Sequence, residues 1–209
     1  MNIIDHLKWR YATKKFDVTK KLSEGKLQTI KEAFNLTATS FGLQTVSLII
    51  ISDRAKRELL VEHSYHQKQV LDASHLLVVC IQDDILDTDV DALFNTVADL
   101  RRTPDDILEP YRKDLKTMMR EMSKVERQDW SVKQAYIALG NLMTVCAVER
   151  IDACPMEGFI PEKYDSILNL KERNLKSVLL LPIGYRAEDD EFATFKKVRK
   201  TIDDAVITL

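Results

Sequence analysis

Apolar residues along this chain change their spacing from one stretch to the next, and the changes mark out its elements. Ile3, Ile4 and Leu7 recur at helical spacing, which predicts a short helix from Asn2 to about Trp9. Leu27, Ile30, Ala33 and Phe34 keep the same period. They follow Ser23, a good N-cap, with Leu22 and Leu27 placed around it as a hydrophobic staple. Val46 to Ile51 and Ser74 to Ile81 are almost unbroken apolar runs. Runs without polar alternation read as strands buried on both faces, and Val178 to Ile183 is a third. Arg54 to about Val61 reads as helix, Pro161-Glu162-Lys163-Tyr164 opens another, and the tail Val206-Ile207-Thr208-Leu209 is strand-like.

Two longer stretches contrast. Residues from about Asp89 to Met122 are polar and helical. Thr103-Pro104-Asp105-Asp106 reads as a helix start, with Thr as cap, Pro in the first turn and carboxylates at the positive end of the dipole. Pro110 is expected to break that helix, leaving a helical cap or mobile arm over about residues 89–128. Lys133 to Val148 is apolar on nearly every face, so it belongs in a core or a subunit interface. No repeat, low-complexity run or linker divides the chain. The pattern predicts one α+β domain over residues 1–209, a sheet flanked by helices.

Composition narrows the functional classes. A length of 209 residues buries a real core without staples. A formal net charge of −2 argues against a nucleic-acid partner. No apolar run approaches a membrane span, and the opening residues lack the zones of a secretory signal. Cys80, Cys146 and Cys154 form no CxxC pair, and two lie in apolar surroundings, so they read as reduced core residues of a cytosolic protein. GxGxxG, the phosphate loop, HExxH and GxSxG are all missing, and no ligand spacing suggests a metal. His63 and His66 stand three apart and read as exposed polar residues, while His75 at a strand start reads as a hydrogen-bonded structural residue.

What remains is a split set of cations. Arg10 and Lys14 stand near one end, in Arg10-Tyr11-Ala12-Thr13-Lys14, and Lys197 and Arg199 near the other. Between them lies the turn Cys154-Pro155-Met156-Glu157-Gly158-Phe159, directly after the apolar helix. Arginine and lysine from two ends suit one phosphate, and such a turn suits a flat heterocycle. These segments resemble the FMN-dependent nitroreductase family. So do Leu71-Asp72-Ala73-Ser74-His75 and Gln134-Ala135-Tyr136-Ile137-Ala138-Leu139-Gly140-Asn141-Leu142. The similarity is greatest to the oxygen-insensitive enteric type, and it runs in order over essentially the whole chain.

The resemblance implies a nitroreductase-like α+β fold with a central mixed or antiparallel sheet. It also implies an intertwined homodimer with FMN at the subunit interface. The apolar helix would form much of that interface, and the C-terminal strand would extend the partner's sheet. Arg10, Lys197 and Arg199 would hold the FMN phosphate, with Tyr11 and Ala12 beside them. Lys14 would lie at the N1–C2=O edge of the flavin, and Pro155, Met156, Glu157 and Gly158 would line it, the backbone of Glu157 and Gly158 contacting N5. Thr39, Ser40 and Gly42 would reach the partner's flavin; His66 and Gln69 would lie at the pyrimidine edge. Ser40, Phe41, Tyr65 and His66 would form a substrate pocket, with Leu115, Met118 and Met119 near its opening. The implied activity is ping-pong hydride transfer from NADH or NADPH to nitroaromatic, quinone or flavin acceptors, with no catalytic side chain.

Departures from the family pattern are specific. Ala12 replaces a serine, and Ala38–Thr45 has lost its asparagine and both prolines. His66 stands where an asparagine is usual, and Gln69 where close relatives carry a second cation. Two other readings therefore stay open: a flavin-binding or storage protein with little turnover, and an interaction protein using the charged arm.

Overall fold

The computed structural model describes residues 2–209. Strands β1 (Val46–Ile51), β2 (His75–Gln82), β3 (Asp152–Ala153) and β4 (Leu175–Gly184) pair antiparallel in the order β1-β2-β4-β3. Alternation sends Leu76, Val78 and Cys80 to one face and Leu77, Val79 and Ile81 to the other. All six are buried, so the central strand has no polar side. Only β1 departs from the expectation of full burial. It contributes to both faces but is the free edge of the sheet, and its residues other than Ile51 stay half-exposed.

Helices α1 (Ile3–Trp9), α2 (Glu24–Asn35), α3 (Arg54–Val61) and α4 (Gln69–Asp72) precede β2. Beyond it come α5 (Asp87–Arg101), α6 (Asp105–Glu121), α7 (Lys124–Val148), α8 (Pro161–Ile167) and α9 (Ile202–Ala205). On one face of the sheet, Leu60 of α3, Val70 of α4 and Tyr164 of α8 pack on Leu76 and Val78. On the other, Ile30 of α2 and Ala135, Leu139, Leu142 and Cys146 of α7 pack on Leu77 and Val79. Ser23 caps α2 as expected, its hydroxyl accepting the Lys26 N–H, and Leu22 and Leu27 are buried beside it. The three cysteines are free and buried. Among the described residues no helix is long and apolar enough to cross a membrane, and no cluster of ligating side chains suggests a metal site.

Several expectations fail locally. Pro110 does not break its helix but sits inside α6. A proline there removes a single backbone donor, and α6 is held instead by Leu115 and Met119, which bury against Leu43, Ile85, Val90 and Phe94. The polar stretch is thus a helical hairpin with its own small core, and α5 is tied to α6 by ion pairs such as Lys116–Asp91 at 2.6 Å. Residue Pro104, not Thr103, immediately precedes α6, and no side chain caps it. His66 is exposed as expected but His63 is half-buried, the chain turning between them through positive φ at Tyr65 and His66. The tail does not form a strand: Thr201 caps α9, and residues 206–209 follow it exposed, lying on no sheet edge of the same chain. Nor is α7 buried all round, since Tyr136, Ile137 and Val148 are 43–50% exposed.

Candidate functional site

The end of the sheet beyond β3 carries the site. Ala12 bridges Ala153 in parallel, and the Thr13 N–H donates to the Ala153 carbonyl at 3.3 Å. The segment carrying Arg10 and Lys14 therefore runs along the outer sheet edge, with Thr13 fully buried. After β3 the chain keeps pairing with β4. The Cys154 N–H donates to Pro182, and Met156 and Leu180 exchange bonds of 2.9 and 3.0 Å. A tight turn follows, in which the Phe159 N–H reaches back to the Glu157 carbonyl at 2.9 Å.

Neither the Glu157 nor the Gly158 N–H donates to any described protein group. Both residues retain solvent access, so two donors are free at this turn. Gln67 supports it from the other side, its amide donating to the Gly158 carbonyl at 3.1 Å. A Cβ at position 158 would lie 3.0 Å from that amide nitrogen, so Gln67 would have to shift, and 3.7 Å from the Tyr65 ring, an ordinary contact. On the α7 side, the Tyr136 hydroxyl donates to the Glu157 carboxylate at 2.7 Å, and this bond holds the Tyr136 hydroxyl above its usual pKa.

The cations gather at the same end. Burial lowers the Lys197 pKa, and the positive charges of Arg10, Arg199 and Arg186 lower it further. The two chain ends meet there, Lys8, Trp9 and Tyr11 lining one cavity with Phe195, Lys196 and Lys197. Burial raises the Cys154 thiol, and the Lys14 charge opposes the rise. Among the described residues the Arg10 guanidinium donates only to the Met143 sulfur of α7, at 3.8 Å. Among the described residues, Arg10, Lys14, Lys197 and Arg199 form no ion pair with a carboxylate. Cations outside any ion pair and free N–H donors at one sheet end are groups that suit an anion.

Neighbouring arginines are handled differently. Arg186 pairs with buried Asp152 at 2.6 Å and lies over the rings of Trp9 at 4.4 Å and Tyr11 at 4.6 Å. This stack fixes the junction of α1 with the sheet edge.

The expected site residues divide into two groups. Arg10, Tyr11, Ala12, Lys14, Tyr65, Pro155, Met156, Glu157, Gly158 and Lys197 belong to the sheet end just described, with Arg199 exposed beyond Lys197 and donating to the Val198 carbonyl at 2.6 Å. His66 lies in the turn between Tyr65 and Gln67, exposed, and Gln69 opens α4, buried. Thr39, Ser40, Phe41 and Gly42 are elsewhere, against α5 and α7. The Ser40 N–H donates to Gln134 at 2.9 Å, Phe41 stacks on Trp130, and Gly42 faces Leu93. Phe41 and Gly42 line a cavity of about 360 Å³ with Leu93, Phe94 and Leu108, a lining that includes neither Tyr65 nor His66. The four residues expected to form one substrate pocket thus do not form one within a single chain. Leu115 and Met119 are buried in the hairpin core with Met118 packed on it, not at an opening. Gln67, Tyr136 and Asp190 escaped the sequence reading. Of these only Tyr136 gave a signal, as a polar-tipped residue on an otherwise apolar helix.

The sequence model of the Nitroreductase family matches residues 7–185, and the chain belongs to that family. It is 30% identical to a Staphylococcus epidermidis protein named "Putative NAD(P)H nitroreductase", over 98% of this chain and 95% of that one. Its fold matches the Bacillus subtilis protein ydfN with a TM-score of 0.88 at 19% identity, over 99% and 98% of the two chains. A protein from Exiguobacterium sibiricum, solved in complex with FMN, matches with a TM-score of 0.85 at 18% identity, over 100% of this chain and 98% of that one.

Proposed function

We propose that this protein is an FMN-dependent NAD(P)H oxidoreductase. The observation that carries the reading is the meeting of the two chain ends, where Tyr11 and Lys197 line one cavity and Arg10 and Arg199 act on the Lys197 charge, together with the free N–H donors of Glu157 and Gly158. Arg10, Lys197 and Arg199 would hold the phosphate, and Lys14 would stabilise negative charge on the ring. Bound FMN supplies two-electron hydride transfer between a reduced nicotinamide and a nitroaromatic, quinone or flavin acceptor. The chain binds, orients and sets the electrostatics. The name of the S. epidermidis relative and the FMN complex of the structural neighbour support the same reading.

The whole chain would act as one FMN-binding domain, with α5 and α6 as a helical excursion, in a cytoplasmic homodimer. Exposed Ile3, Ile4 and Leu7 on α1, Tyr136, Ile137 and Val148 on α7, and Val206, Ile207 and Leu209 in the tail supply apolar surface for a second copy. Pairing would also complete the pocket, bringing Ser40 and Phe41 of one chain to Tyr65 and His66 of the other. The test is direct. Purified protein is expected to be yellow, and NADH or NADPH to bleach it without oxygen. Colourless protein unable to take up FMN rejects the proposal. Yellow protein that neither nucleotide bleaches supports the storage reading, which the altered loop at 38–45 favours.

Gln69 sets a second expectation. It is buried, 9% exposed, where a charge would be weakly screened. Gln69→Lys is expected to raise the flavin midpoint potential, because a cation there favours the reduced anion. A spectroelectrochemical titration showing no change or a fall rejects this assignment.

A further inference from the structure

We propose that Asp190 is a positioning residue that assembles the anion site from the two ends of the chain. The proposal rests on the FMN reading above and adds the residue that makes the site possible. Asp190 is 3% exposed and forms no salt bridge among the described residues, yet its carboxylate is saturated by hydrogen bonds. One oxygen, Oδ2, accepts the Tyr11 hydroxyl at 2.7 Å, the Lys14 N–H at 2.9 Å and the Lys15 N–H at 3.1 Å. The other, Oδ1, accepts the Phe192 N–H at 3.3 Å.

Three of the four donors come from the N-terminal segment and one from the C-terminal segment. Successive N–H groups such as those of Lys14 and Lys15 make a concavity that attracts anions. Here the chain fills it with its own carboxylate. The bond to the Lys14 N–H fixes the backbone that carries that ammonium. The Phe192 bond fixes the start of the short helical turn Glu191–Thr194, which leads to Lys197 and Arg199. Tyr11 is held at both ends, its hydroxyl by Asp190 and its ring under Arg186. Arg10, its neighbour in sequence, reaches the Met143 sulfur of α7 at 3.8 Å. Burying a carboxylate is costly unless it is fully hydrogen-bonded, so a four-donor aspartate at this junction points to positioning.

The experiment compares FMN with riboflavin, which lacks the phosphate, in titrations of wild-type, Asp190→Asn, Asp190→Glu and Tyr11→Phe apoprotein followed by flavin fluorescence. Wild type is expected to prefer FMN. Asp190→Asn keeps the shape but turns an amide toward an N–H donor, and is expected to cut that preference about tenfold or more. Tyr11→Phe removes one donor and is expected to cut it about threefold or more. Asp190→Glu, which keeps the charge, is expected to recover part of the loss. A preference unchanged in Asp190→Asn, or both flavins weakened equally, overturns the proposal, since a purely structural role would do no more. Should Asp190→Asn fail to fold, an unchanged preference in Tyr11→Phe overturns it. Wild type that binds neither flavin rejects the FMN reading itself, an outcome distinct from the others.

Discussion

Replacing Arg10 and Lys197 together by alanine is expected to weaken FMN binding about 10²–10⁴-fold, at roughly 1.5–3 kcal/mol for each charged hydrogen bond lost. Solvent access to both groups favours the lower end of that range. Riboflavin binding is expected to change little, because neither cation is assigned to the ring. The free protein gives a second readout. Arg10 and Arg199 repel the Lys197 ammonium, whose pKa is lowered by burial and by these charges. A lysine with a lowered folded-state pKa penalises folding at neutral pH, and the penalty disappears as pH rises through that pKa. Removing both cations is therefore expected to leave the thermal midpoint of the apoprotein unchanged or slightly higher. In wild type, FMN binding is expected to weaken at alkaline pH, starting below the ordinary lysine range. Apoprotein titrations across pH check both statements, and a double variant that binds FMN as wild type does rejects the phosphate assignment.

The fold was legible where one element decides its own pattern. The runs at 46–51, 74–81 and 178–183 became strands because their residues face two packed helix layers. Ser23 and Pro161 marked helix starts through local backbone chemistry that needs no distant partner. Legibility ended where a distant contact overrides the local signal. Pro110 reads as a breaker until Leu115 and Met119 are seen to hold α6 against α5. The β1 run reads as a central strand, yet the sheet order leaves it at an edge. The same division applies to the site. Arg10, Lys14 and the 154–159 turn could be named from spacing and resemblance, whereas Asp190 lies in an unremarkable acidic stretch, and its role exists only once Tyr11 is brought to it from 179 positions away. The Tyr136–Glu157 and Gln67–Gly158 bonds are of the same kind.

Arg57 has no part in the cation cluster, and its loss is expected to be the most destabilising single change. It is completely buried, on the first turn of α3, and among the described residues it pairs with no carboxylate. Burial lowers its pKa, and Arg54 adds to the effect. Asp72 and Asp53 oppose that effect from a distance, and backbone carbonyls make the direct contacts. The guanidinium donates to Ala73 at 2.6 Å, Leu71 at 2.9 Å and Ser52 at 3.3 Å. Leu71 and Ala73 lie at the C-terminal end of α4, where carbonyls are otherwise unsatisfied and carry the negative end of the dipole. Arg57→Leu would leave these acceptors buried without donors, at about 1–3 kcal/mol each, for a total loss of about 3–5 kcal/mol after relaxation. Arg57→Lys supplies the charge without the fork and is expected to recover only part of this. Because α4 follows directly on the Tyr65–Lys68 segment, the weaker fold is also expected to loosen the support of Gly158 by Gln67. Urea unfolding of the apoprotein measures the first effect, and FMN affinity in dilute buffer the second. A shift below about 1 kcal/mol for Arg57→Leu would mean that α4 finds other donors, and that this arginine does not hold the α3–α4 corner together.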